Sequence, residues 1–113
     1  MSFYLITFPS RAMQIPVEEF QDVVDASHAV VEDAKAAGVY RFGGGIDESV
    51  APVLIGVDGS REDGSHPLRA PLDGGYTVLG LATRAEAEQW AARIAAACRC
   101  PQELYVFGDD PAS

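Results

Sequence analysis

The sequence predicts an α+β domain, an antiparallel sheet carrying two helices on one face. Two stretches keep the apolar spacing of a surface helix, with apolar residues at i, i+3, i+4 and i+7. Several short runs rich in β-branched and aromatic residues read as strands. The two kinds of segment are interleaved along 113 residues, the usual size of a single domain.

The first strand is predicted at residues 3–8, Phe-Tyr-Leu-Ile-Thr-Phe, and Pro9 and Ser10 end it. After an irregular stretch, Pro16 suits the first position of a helix. Glu18 and Glu19 follow in the positively polarised first turn. The helix is expected to run to about Ala37 and close on Gly38, the preferred residue for a left-handed cap. Phe20, Val23, Val24, Ser27, Val31 and Ala34 share one face. Glu19, Asp22, Asp25, Glu32 and Asp33 fall outside it.

A second strand is predicted over Val39 to Phe42, ended by Gly43-Gly44-Gly45, and a third over 53–57, with Asp58-Gly59 as the turn after it. The polar stretch from Ser60 to Asp73 is expected to hold a short edge strand around His66–Arg69, since prolines are tolerated only at sheet edges. Tyr76–Ala82 is a further strand. Thr83-Arg84-Ala85-Glu86 is a capping box, and the helix it opens should bury Ala87, Trp90, Ala91, Ile94 and Cys98 before Pro101 stops it. Glu103–Phe107 is the last strand. The domain is thus expected to span 1–108, with 109–113 a frayed acidic tail. The order β-α-β-β-(β)-α-β is that of a split βαβ, ferredoxin-like sheet.

Two helices cover one face of such a sheet, and a solvated second face should alternate polar with apolar residues. These strands do not. Phe3 and Leu5 oppose Tyr4, Ile6 and Phe8; Leu79 and Leu81 oppose Tyr76 and Val78; Leu104 and Val106 oppose Tyr105 and Phe107. The expected closure is a two-fold homodimer with the sheets face to face. The alternative, that 43–75 folds over the open face, fits poorly with a segment so polar and rich in glycine.

Charge narrows the partners. Eight basic and 17 acidic residues give a net charge of −9, which repels phosphate backbones and anionic lipid, so neither nucleic acid nor membrane is expected. No stretch approaches a membrane span. The apolar run near the N-terminus lacks a basic residue before it and reads as a strand rather than a signal peptide, so the cytoplasm is the expected compartment. The two cysteines, Cys98 and Cys100, would close a ring too small to stabilise the fold and are too few to hold a metal. Cys98 is expected to pack and Cys100 to be exposed. Gly43-Gly44-Gly45 lacks the Lys-Ser/Thr of a phosphate loop, and no cofactor is implied.

Several residues are candidates for chemistry. His28 borders the apolar stripe of the first helix and could act as a general base, or pack its ring at the boundary. Ser27 lies on that stripe, where a small residue leaves room for a ligand or for a bulky neighbour. Asp63, His66 and Arg69 cluster in sequence; Arg69 could fork a carboxylate while Asp63 and His66 form an acid–base pair, although Asp-Gly is also a turn signal. Arg41 and Tyr76, on strands, could line a cleft between sheet and helix.

The opening strand, Ala36-Ala37-Gly38-Val39, Asp63-Gly64, Gly74-Gly75-Tyr76 and Ala87-Glu88-Gln89-Trp90-Ala91 occur in an order that resembles the YCII-related proteins. The likeness is to the branch named for an Asp-Gly-Pro-Phe motif, within the dimeric α/β-barrel superfamily. Ser65-His66 stands where that branch has Pro-Phe, and Ser27 stands closest to a histidine that some members carry on the first helix. The resemblance implies the fold and the dimer, and no particular reaction. Three functions remain open: a dimer holding a small apolar or aromatic molecule between sheet and first helix, an enzyme using a His/Asp pair, or an interaction module whose Asp22, Asp25 and Asp33 dock a basic partner.

Overall fold

The computed structural model describes residues 1–113. Its body is a four-stranded antiparallel sheet with two helices. Strands β1 (Ser2–Phe8) and β5 (Gly75–Leu81) lie at the centre, flanked by β2 (Tyr40–Gly45) beside β5 and β6 (Glu103–Val106) beside β1. Helix α1 (Phe20–Ala36) connects β1 to β2, and α2 (Arg84–Cys98) connects β5 to β6. Between β2 and β5 the chain makes a separate hairpin of β3 (Val53–Ile55) and β4 (Arg61–Asp63).

Register decides which side chains form the core. Tyr4 pairs with Leu79 and Val106, and Ile6 with Thr77 and Leu104, so these residues share the face under the helices. Tyr4, Ile6, Leu79 and Leu81 are buried there against Ala34 of α1 and Ala87 of α2, with Trp90, Ile94 and Leu104 around them. On the solvent side the helices are tied by the ion pairs Arg93–Asp33 and Arg99–Glu19. Arg93 also lies 4.6 Å from the Trp90 ring centroid.

The helix ends follow their local chemistry. The Thr83 hydroxyl accepts from the Glu86 amide at 3.2 Å, as its capping box predicts. Gly38, with φ of +74°, closes α1, and Pro101 follows α2. After Pro16 the chain makes a 3₁₀ turn at Val17–Glu19 before α1 begins, so Phe20 opens the helix instead of packing within it and is exposed.

Three expectations are corrected. Gly43, Gly44 and Gly45 do not end the second strand but belong to it. The β5 ladder recruits them, beyond an irregularity between Tyr40 and Phe42. The strand expected at His66–Arg69 is a turn, with the Leu68 amide donating to His66 Nδ1 at 3.1 Å. The Asp58-Gly59 turn brings Arg61–Asp63 back along β3, so the nearer segment takes the ladder. Cys100 is buried rather than exposed, its Sγ 3.5 Å from the Gln102 amide.

The face away from the helices is open. Phe3, Leu5, Phe42, Tyr76, Val78 and Tyr105 share it by register, and Phe3, Phe42, Tyr105 and Phe107 are exposed. Residues 46–72 do not cover it. They form an arm whose two strands pack substantially only on each other. No helix is long and apolar enough to cross a membrane.

Candidate functional site

The helix-facing side of the sheet is missing side chains at one corner. Gly45 pairs with Gly75, and Gly43 with Thr77, so three glycines stand where large residues would support α1. The helix offers a small residue, Ser27, in the same region. Between them lies a cleft of about 280 Å³. Its floor is Ile6, Phe8, Thr77 and the glycines at 44, 45, 74 and 75; Ser27, His28, Val30 and Val31 form one wall; Ile94, Cys98 and Gln102 form the other, with Met13 at its edge.

No Asp, Glu, Lys or Arg lines this space, although the chain has 25 such residues among 113, about a fifth of its length. The polar groups that do line it are few. The Ser27 hydroxyl donates to the Val24 carbonyl at 3.0 Å, which leaves its lone pairs free to accept. The Gln102 amide donates to the Cys100 carbonyl at 3.4 Å. His28 makes no side-chain hydrogen bond and is exposed at the rim. There it also borders a shallower groove with Glu32, Lys35, Tyr40 and Gly43.

The glycines at the rim are required sterically. A Cβ on Gly74, whose φ is +73°, would stand 1.9 Å from the Phe8 carbonyl oxygen, and one on Gly75 would stand 2.7 Å from the Phe8 ring. Gly45 differs, because the nearest atom to a Cβ there is the Gly74 carbonyl at 3.6 Å. The corner is pinned by Ser10. Its amide donates to Asp73 at 3.1 Å, its hydroxyl accepts from the Gly74 amide at 2.9 Å and bonds Glu48.

Both thiols are shielded. Burial pushes the Cys98 thiol above its ordinary value, and the neighbouring Cys100 pushes it the same way. Burial also raises Cys100, against a smaller opposing hydrogen bond from Gln102. Thiolate chemistry in the cleft is disfavoured accordingly.

The structure separates the sequence-predicted residues into three places. Ser27 and His28 meet at the cleft. Tyr76 borders it through its backbone, while alternation along β5 sends its ring to the open face with Thr7 and Gly44. Arg41 is also on the open face, 5.8 Å from the Phe3 ring centroid and donating to the Gly38 carbonyl at 3.1 Å. The remaining three lie on the arm. Asp63 pairs with Arg61 at 3.4 Å, while His66 and Arg69 line a separate groove, and Asp63 and His66 share no hydrogen bond. Sequence reasoning did not single out Thr77, Gln102 or the Gly45–Gly75 pair. The paired glycine runs at 43–45 and 74–75 were the available signal.

No protein-family profile matches the chain, and comparison with curated proteins gives no relative.

Proposed function

We propose that the protein binds a small, neutral, largely apolar or aromatic molecule in the cleft beneath α1, as a homodimer joined through the open sheet face. The observation that carries this reading is the uncharged cleft over the glycine floor. An apolar cavity of about 150 Å³ suffices for benzene, so one of about 280 Å³ suits a one- or two-ring molecule. Ser27, Thr77 and Gln102 would orient a hydrogen-bonding substituent, and His28 would meet its exposed end. The lining favours binding over acid–base catalysis, because His28 has no carboxylate hydrogen-bonded to it and Asp63 and His66 are apart.

The dimer rests on the open face. Phe3, Phe42, Tyr105 and Phe107 are exposed in the single chain, and burying each fully would contribute roughly 1.5–3 kcal/mol. The order β2-β5-β1-β6 supports a ferredoxin-like reading, with two split βαβ units whose crossovers are α1 and α2. That topology, with a bare apolar face, also supports kinship with the YCII-related dimeric α/β barrels.

Gly45→Leu tests the cleft, since the new side chain enters the space without a backbone clash. A panel of neutral one- and two-ring compounds, screened by thermal shift, should give hits on the native protein that vanish in the variant. Hits of equal size in both, or none in the native protein, would sink the reading.

A further inference from the structure

We propose that the arm, residues 46–72, is a clasp for a second copy of this chain, an interface beyond the sheet face and resting on the dimer proposed above. A hairpin of two three-residue strands is at best marginal in water by itself. Yet β3 and β4 pack substantially on no other element of their own chain. The arm also displays apolar side chains to solvent, with Val50, Ile55, Val57 and Leu68 each more than half exposed. Its inner side is a groove of about 600 Å³ between the Ile46–Leu54 and Ser65–Asp73 stretches. A projection that leaves these apolar side chains unpacked needs something to sit on.

The size of the surface suits a second copy. A compact monomer of 12.0 kDa exposes roughly 6,000 Å², whereas this chain exposes 7752 Å². The excess, roughly 1,750 Å² per chain, is about twice the share each partner gives to an interface of standard size. The radius of gyration says the same: 15.9 Å against about 13 Å for a compact domain of this length. The molecule is a plate 20 Å thick and 43 Å across, so the arm extends outward in the plane of the sheet rather than curling onto either layer. Stacking a second plate on the open face leaves each arm overhanging the other subunit.

Continuity favours a copy over a foreign protein. The Ile46 amide donates to the Gly74 carbonyl at 2.9 Å and extends the ladder of β2, so alternation carries Phe42 on the open face and Ile46 in the groove to one side. The side of the sheet that carries Phe42 thus continues past Gly44 to Ile46 and the groove.

Sedimentation of the full chain tests the clasp with three forms: native, Phe42→Glu on the sheet face, and Ile55→Asp/Leu68→Asp on the arm. All the replaced side chains are exposed in the single chain, so its fold should survive. The arm variant should raise the dimer dissociation constant about ten-fold or more, and hydrogen exchange of the β3–β4 amides should slow as native protein is concentrated through the dimer transition. A native dimer that the arm variant leaves unchanged, with β3–β4 exchange independent of concentration, overturns the clasp and leaves the sheet-face dimer standing. A native protein that stays monomeric overturns both.

Discussion

Cys98 and Cys100 illustrate how a side chain's surroundings set its chemistry. Both are buried beside the C-terminal end of α2, and both thiols are held above the ordinary value of 9.0. The unfolded chain therefore loses these protons at lower pH than the folded chain does. Their stabilisation is complete well below that ordinary value and is lost as pH climbs through the raised folded-state values. Cys98→Ala should flatten part of the alkaline fall in melting temperature, measured across pH 8 to 11 (roughly the span in which thiols titrate). A thiol reagent added to native protein at pH 8 should react slowly at both sites and quickly after denaturation. Fast native labelling would contradict the burial of Cys100. Position alone made Cys100 look exposed, because what covers it is tertiary and leaves no mark beside Pro101 in the sequence.

At the level of elements, local rules reached far and failed where pairing took over. The capping box at Thr83 and the Gly38 cap are written in a few adjacent residues, so they could be read directly. Thr83→Ala should lower stability by about 1 kcal/mol in urea titration, with its slope against denaturant unchanged. Gly38→Ala should also destabilise, by roughly 1 kcal/mol, because its φ of +74° disfavours a Cβ even though no atom lies within 4 Å of the position. By contrast, Gly43-Gly44-Gly45 looked like a strand end because glycine disfavours strands; the ladder to β5 overrode that preference. The same blindness to pairing affects the site. Ser27 and His28 could be picked out by their place on a helical stripe. Asp63, His66 and Arg69 are close in sequence; His66 and Arg69 do share a groove on the arm, while Asp63 pairs with Arg61 in β4.

For the whole molecule, charge and surface oppose each other. Two copies that each carry −9 repel, while the open face between them holds mainly apolar side chains and Arg41, with Glu103 near one edge. Salt screens the repulsion and leaves the apolar contact in place. The proposed dimer should accordingly tighten as sodium chloride is raised from about 0.01 M, where charges are felt over roughly 30 Å, to about 0.15 M, where they are felt over roughly 8 Å. Sedimentation equilibrium at the two concentrations measures this, and a dimer that loosens with salt would mean that ion pairs, not apolar burial, hold it. Phe42→Glu should abolish it at either concentration. Two apolar sheet faces were visible in the sequence, but the outward reach of the arm was not. No local signal states that a hairpin will find no seat on its own body.

Gly45 and Gly74 border the cleft beneath α1, and they are also where the arm joins the sheet. A force applied at the far end of the lever is felt at the hinge, so anchoring the arm on a neighbouring subunit would restrict the motion of the cleft's own rim. By thermodynamic reciprocity, any molecule that prefers the restricted rim must strengthen subunit association by the same factor that association strengthens its binding. Occupancy would then rise with protein concentration as well as with ligand, making a fold of this size responsive to its own abundance.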